Sequence, residues 1–228
     1  MKNSLLPAKW FAFVLVVSFS LLACKKQEAE RVQRRAFKAQ TDTWYRISPT
    51  TPTALTIGGN LYFTFAHVPG GGEGNATHMG KIKTYFNQLA YTSNLKVPAP
   101  APEGSITAAV VDVINYPIIN FPLPFIQAND FSGLVAAKNA LNIPQTINGK
   151  IVSSFLYNDK GDAVFISNSS ASVITPTSPN RNDFSGKALI VGGRGQFINA
   201  FGEVDFAGWF DPTSPNNAEY NVDGWISY

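Results

Sequence analysis

The stretch Gly192-Gly193-Arg194-Gly195-Gln196-Phe197 decides the fold. Glycines this dense either cradle a phosphate at the start of a helix or turn one strand into the next. A dinucleotide fingerprint needs a third glycine three residues after the second, opening a helix, and Ile198 stands at that position. A Walker loop needs Gly-Lys-Ser/Thr, which is absent here. The residues that follow alternate as a strand does. Ala188 to Phe206 therefore reads as strand, tight turn, strand, with Gly192, Gly193 and Gly195 supplying backbone angles closed to other residues.

The same vocabulary extends upstream. Short runs rich in Val, Ile, Phe, Tyr and Thr lie between clusters of Gly, Pro, Asn and Ser. Leu61, Phe63 and Phe65 repeat at a period of two. Thr77 to Phe86 places His78, Ile82, Thr84 and Phe86 on one face, with Lys81 and Lys83 on the other. Ile151–Tyr157, Ala163–Ser167, Phe184–Val191, Phe197–Phe206 and Tyr220–Ser227 read similarly, joined by turns such as Asn158-Asp159-Lys160-Gly161. One short helix is expected near Gly133–Leu141. The pattern predicts an all-β domain over residues 41–228, a single closed antiparallel barrel of about eight strands. Residues 97–144 interrupt it with seven prolines among many apolar residues, and are expected to form an irregular insertion lying across the barrel.

The beginning of the chain gives the address. Lys2 and Lys9, the apolar run Trp10–Leu22 and then Leu21-Leu22-Ala23-Cys24 have the order of an export signal over residues 1–23. The run is shorter than the ~20 residues a spanning helix needs. Leu21-Leu22-Ala23-Cys24 resembles a bacterial lipobox, which implies acylation of Cys24 and a lipid anchor in the membrane. Cys24 is the sole cysteine, so no internal disulfide supports the fold. Lys25 after Cys24, where an aspartate would signal inner-membrane retention, points to the outer membrane. Without residues 1–23 the chain has 16 basic and 15 acidic residues, a net charge of +1. That balance gives no basis for a nucleic-acid partner. Residues 24–40, polar around most of their circumference with no sustained apolar stripe, read as a polar tether, the alternatives being a nucleic-acid arm or a membrane-surface helix.

A resemblance joins these motifs. The turn with Gly192, Gly193, Gly195 and Phe197, continued by Ala200 and Gly202, is similar to the Gly-Gly-Thr-Gly-x-Phe turn of bacterial secreted barrels of the allene oxide cyclase-like and dirigent-like family. Arg194 stands where threonine is usual. Gly74–Tyr85 is similar to that family's Ala-Thr-His-Leu-Gly-Arg strand, Asn158–Val164 to its Asn-Gly-Asp turn, and Val222–Ile226 to its closing strand. The resemblance implies the allene oxide cyclase barrel fold, in which cyclases and dirigent proteins steer a reactive intermediate. It carries no functional residue onto matching positions here.

The chemistry is sparse. His67 and His78 are the only histidines, which excludes a three-histidine metal site. They are read as inward-facing and, with Glu73, as a group at one barrel mouth that could bind a metal or act as acid and base, the alternative being that His78 satisfies a core hydrogen bond in its strand. No Gly-x-Ser-x-Gly elbow is present. Asp183, Glu203, Asp205, Asp211 and Asp223 are expected mostly beside turns, solvated or capping. The sequence therefore predicts a monomeric, lipid-anchored envelope protein with no metal or cofactor and no catalysis. Its barrel is the candidate holder of a small apolar ligand facing His67, His78, Tyr116, Phe121 and Phe125. A cyclase- or isomerase-type enzyme and a structural or adhesive surface module are the alternatives.

Overall fold

The computed structural model describes residues 33–46, 52–57, 59–92, 103–112 and 132–228. The export signal, Cys24, Tyr116, Phe121 and Phe125 lie outside the described residues. In chain order the strands are β1 (Arg35–Arg46), β2 (Pro52–Ile57), β3 (Asn60–Ala76), β4 (Gly80–Thr92) and β5 (Gly104–Thr107). Helix α1 (Ser132–Leu141) follows, then the short β6 (Thr146–Ile147) and β7 (Lys150–Ile151). The series ends with β8 (Ser154–Tyr157), β9 (Ala163–Asn168), β10 (Ser172–Ser178), β11 (Arg181–Arg194), β12 (Phe201–Asp211) and β13 (Ser214–Ser227).

Eight of these, β1, β3, β4, β8, β9, β11, β12 and β13, pair antiparallel in a closed ring, with β3–β4 completing the circle. The expected closed barrel is thus present, with extra strands outside the ring. Two of them matter for the interior. β4 pairs with β8 over Lys83–Phe86 but with β5 over Gln88–Tyr91. β11 pairs with β9 over Ala188–Arg194 but with β10 over Asn182–Ser185 and Arg181. β5 and β10 also pair with each other. The wall between β4 and β11 is therefore built from β8–β9 at one end and from β5–β10 at the other. The latter is called here the forked end.

The interior is filled by large side chains lying against glycines of neighbouring strands. Ladder partners point to the same face, so Phe86 meets Gly70, Phe206 meets Gly186, Phe184 meets Gly208 and Phe37 meets Gly224. A Cβ at Gly186 would strike the Phe206 ring, so this glycine is required by close approach. The same logic explains why β3 continues to Ala76 through Gly70-Gly71-Gly72-Glu73-Gly74. Those glycines read as loop signals in sequence. In the barrel, Gly70, Gly72 and Gly74 face Phe86, Thr84 and Ile82 across the ladder.

Two boundaries differ from expectation. β1 begins at Arg35, so Arg35–Gln40, assigned to the polar tether, are part of the barrel wall. Phe37 and Ala39 are buried there while the residues between them face water, an alternation too short to register. β12 begins at Phe201, because Gly195–Phe197 form a 3-10 turn with Gly195 at φ +61°.

The described parts of the 97–144 insertion do not lie across the barrel. Val110, Val111, Leu134, Ala137, Leu141 and Ile143 pack with Phe155 and Phe165 on the outer face of β8 and β9. The helix expected near Gly133–Leu141 is α1, and its apolar stripe covers a wall that would otherwise expose aromatic rings. The rest of the outer wall is wet. Lys38–Asp223 (2.9 Å) and Lys187–Asp205 (3.0 Å) are ion pairs across exposed strands. Asp183, Glu203, Asp205 and Asp223 thus stand within strands on the outward face and not beside turns. Asp211 caps the β12–β13 turn, accepting from the Thr213 amide at 2.8 Å.

Candidate functional site

Three of the four motifs carrying the family resemblance, the Gly192–Phe197, Thr77–Met79 and Asn158–Asp162 stretches, converge at the end opposite the fork. Asn158 accepts at Oδ1 from the amides of Lys160 and Asp162, both at 3.0 Å, which shapes its turn. Its Nδ2 donates to the Met79 carbonyl (3.3 Å) and to Asp162 Oδ2 (3.2 Å). Asp162 accepts from the Gln196 amide at Oδ1 (3.0 Å) and from Gln196 Nε2 at Oδ2 (3.1 Å). Gln196 Nε2 also donates to the His78 carbonyl (3.0 Å). The backbone amide of Gln196, ahead of the smaller causes, holds the Asp162 carboxyl below its ordinary range. Phe197, fully buried, meets the Tyr228 ring at a tilt, with centroids 4.7 Å apart, and plugs this tied end. The Gly192–Phe197 stretch is thus the end of β11 followed by a plug-bearing 3-10 turn.

The forked end holds the interior cavity, with a volume of about 30 Å3. Phe86, Ile174, Phe184, Phe206, Phe210 and Tyr220 form its apolar side, and Thr84, Gln88, Ser153, Ser154, Asn168 and Ser172 its polar side. The polar groups are largely bound to one another. Ser105 Oγ donates to Gln88 Oε1 (2.6 Å) and shares a hydrogen bond with Ser172 Oγ. Ser153 Oγ donates to Asn168 Oδ1 (3.2 Å) and accepts from the Asn168 amide (3.1 Å). Asn168 Nδ2 is buried with no hydrogen-bond partner. An unmet buried donor is costly, and the volume suits one or two waters with Asn168 as a partner. Among the described residues Tyr220 is the only titratable one lining the cavity, and burial pushes its hydroxyl pKa up. Hydroxyls and amides can orient a guest. Among the described residues, the lining holds no His, Asp, Glu, Lys or Arg side chain.

The two histidines are placed elsewhere. His78 sits in the Thr77–Met79 turn at φ +65°, exposed, with Nε2 at 3.0 Å from the Ala36 carbonyl. It leaves the inward face because the strand starts only at Gly80. His67 is half-buried and outward-facing, partner of Leu89 in the ladder. Fully buried Asn87 donates from Nδ2 to His67 Nδ1 (2.9 Å) and to the Ala109 carbonyl (2.8 Å). Desolvation lowers the His67 pKa, against the opposing charge of Asp112 and the Asn87 bond, which favours the neutral ring with its proton on Nε2. His67 and Ala76, the latter at the His78 turn, lie nine residue steps apart along β3, roughly 30 Å of strand. Glu73 bonds Lys83 on the outer wall, at 3.8 Å. The structure does not bring His67, His78 and Glu73 together. Among the described residues, no three His, Cys, Asp or Glu side chains gather as metal ligands would.

Sequence reasoning missed Gln88, Ser105, Ser153, Asn168 and Ser172, because a polar residue at a strand position signals the solvent face. Compared with protein-family models, curated proteins and solved structures, the chain matches none.

Proposed function

We propose that the chain is a lipid-anchored protein of the bacterial cell envelope, held by acylated Cys24, whose barrel acts as a non-catalytic module. The observation that carries the non-catalytic part is the interior: a filled barrel whose cavity of about 30 Å3 is lined by hydroxyls, amides and apolar groups. A guest of benzene size takes a cavity of ~150 Å3, so the barrel presents its outer surface more readily than its inside. The address rests on Lys2, Lys9, the apolar run and the Leu21-Leu22-Ala23-Cys24 lipobox. Kinship with the allene oxide cyclase-like barrels belongs to the same reading, and the meeting of three of its motifs at the tied end supports it.

A second reading, a small ligand within the barrel, is favoured by Asn168 Nδ2, a buried donor without a partner at an aromatic-walled cavity. Its guest would carry a carbonyl or hydroxyl acceptor on an apolar body. Thermal shift against a library of lipids and aromatic ketones and phenols decides between the two. The module reading expects no shift; a shift abolished by Asn168→Leu would replace it with ligand binding. Palmitate labelling with membrane fractionation tests the anchor. Label on the wild type and none on Cys24→Ala is expected, and unlabelled wild type would overturn it.

A further inference from the structure

The tied end carries one more arrangement. The first described residues of the chain emerge there: β1 starts at Arg35, opposite Ile226 near the end of β13. The Arg34 guanidinium lies over Trp225 at 4.2 Å, and Arg35 lies over Tyr228 at 4.6 Å and donates to its hydroxyl at 2.8 Å. Phe201 meets Trp225 edge-on at 5.9 Å. Beside them two apolar side chains project into water, Ile198 with 64% and Phe201 with 43% of its surface exposed. An Ile and a Phe exposed at a turn, ringed by Trp, Tyr and Arg, match the composition proteins present at a membrane interface.

The covalent chain says what covers this patch. Ten residues, Lys25–Arg34, link Cys24 to the barrel, so the tether spans at most about 35 Å when taut. The forked end lies roughly another 30 Å away along β12. Lys25, Lys26, Arg31, Arg34 and Arg35 outnumber Glu28 and Glu30 over the same stretch, a surplus that complements anionic lipid headgroups. We propose that the tied end rests on the bilayer that anchors Cys24, with Ile198 and Phe201 entering the headgroup region and Arg34 and Arg35 meeting anionic phosphates. This inference rests on the lipoprotein reading. It adds an orientation: the forked end and its cavity point away from the membrane.

The test uses the full acylated protein in vesicles of phosphatidylcholine and phosphatidylglycerol. Cys24 is blocked by acylation, so a nitroxide can be placed at a single new cysteine. One site is Ile198→Cys; the other is Ser178→Cys, exposed at the β10–β11 turn of the forked end. On vesicles the label at 198 should collide severalfold less often with a water-soluble nickel chelate and more often with oxygen, while the label at 178 stays aqueous. Phe201→Asp should return the label at 198 to water, and an unchanged urea midpoint of the variant checks that the fold is kept, since Phe201 stands at the outer start of β12 with 43% of its surface already in water. If the protein floats with vesicles and both labels are equally aqueous, the anchor reading stands, the membrane face is overturned, and the patch passes to a protein partner. If acylated wild-type protein cannot be obtained or does not float, the anchor reading fails and the orientation falls with it.

Discussion

The two ends of the barrel solve closure differently. At the tied end three turns are joined by Asp162 and Gln196, and the space beneath them is filled by Phe197, Met79 and Ile226. At the forked end no turn network spans the mouth among the described residues. The wall itself changes hands, from β8–β9 to β5–β10, and the interior mixes aromatic rings with hydroxyls and amides. The first end is held by dry packing and local turn chemistry. The second depends on polar groups satisfying one another, where each missing partner is costly. The tied end should therefore dominate stability, and the forked end should tolerate change.

The largest expected effect comes from breaking the ring next to the tied end. A chain starting at Thr41 loses the pairing of Arg35–Gln40 with Asn221–Ile226, together with buried Phe37 and Ala39. Both β3 and β13 then gain open edges. Such a chain should show no cooperative urea transition, whereas one starting at Gln33 should unfold cooperatively. A folded Thr41 chain would mean that β1 contributes little to closure.

Phe197→Ala comes next. Removing a fully buried aromatic plug should cost about 3–5 kcal/mol, read as a lower urea midpoint with unchanged slope. The matched change at the fork is Ser172→Ala, which removes the terminal hydroxyl from the Ser172–Ser105–Gln88 chain and leaves Ser105 bonded to Gln88. About 1 kcal/mol is expected. Equal losses at the two sites would refute the contrast.

The contrast also explains what could be read from the sequence. The tied end is legible because its turns carry their own signals: glycines needed for positive φ, and Asn158 folding its loop by hydrogen bonds to its own backbone. β12 is legible because buried Val204 and Phe206 alternate with exposed Glu203 and Asp205, and β11 because buried Ala188 and Ile190 follow the same period. The fork is not, because what places Ser105 and Ser172 inside is the partner each strand finds across the barrel, a non-local fact. The insertion hid it further by separating β5 from β8, which lie along the same edge of β4. His78 was misplaced for a local reason. Its strand pattern looks unbroken until Gly80, at φ +72°, shows that the turn has already taken His78.

The smallest effect concerns the tie itself and depends on pH. Asp162 accepts from the Gln196 amide, from Asn158 Nδ2 and from Gln196 Nε2, and these bonds lower its folded pKa. A carboxyl with a depressed folded pKa contributes stability above its unfolded pKa and loses it as pH falls through the folded value. Asp162→Asn removes that dependence but keeps an acceptor oxygen for the Gln196 amide. The wild type should therefore be slightly more stable than the variant at neutral pH, with the gap closing as the solution is acidified below the ordinary carboxylate pKa. Urea midpoints for both proteins across that range check this. A gap that stays constant with pH would assign the tie to hydrogen-bond geometry alone, and one that widens on acidification would reverse the sign of the Asp162 contribution.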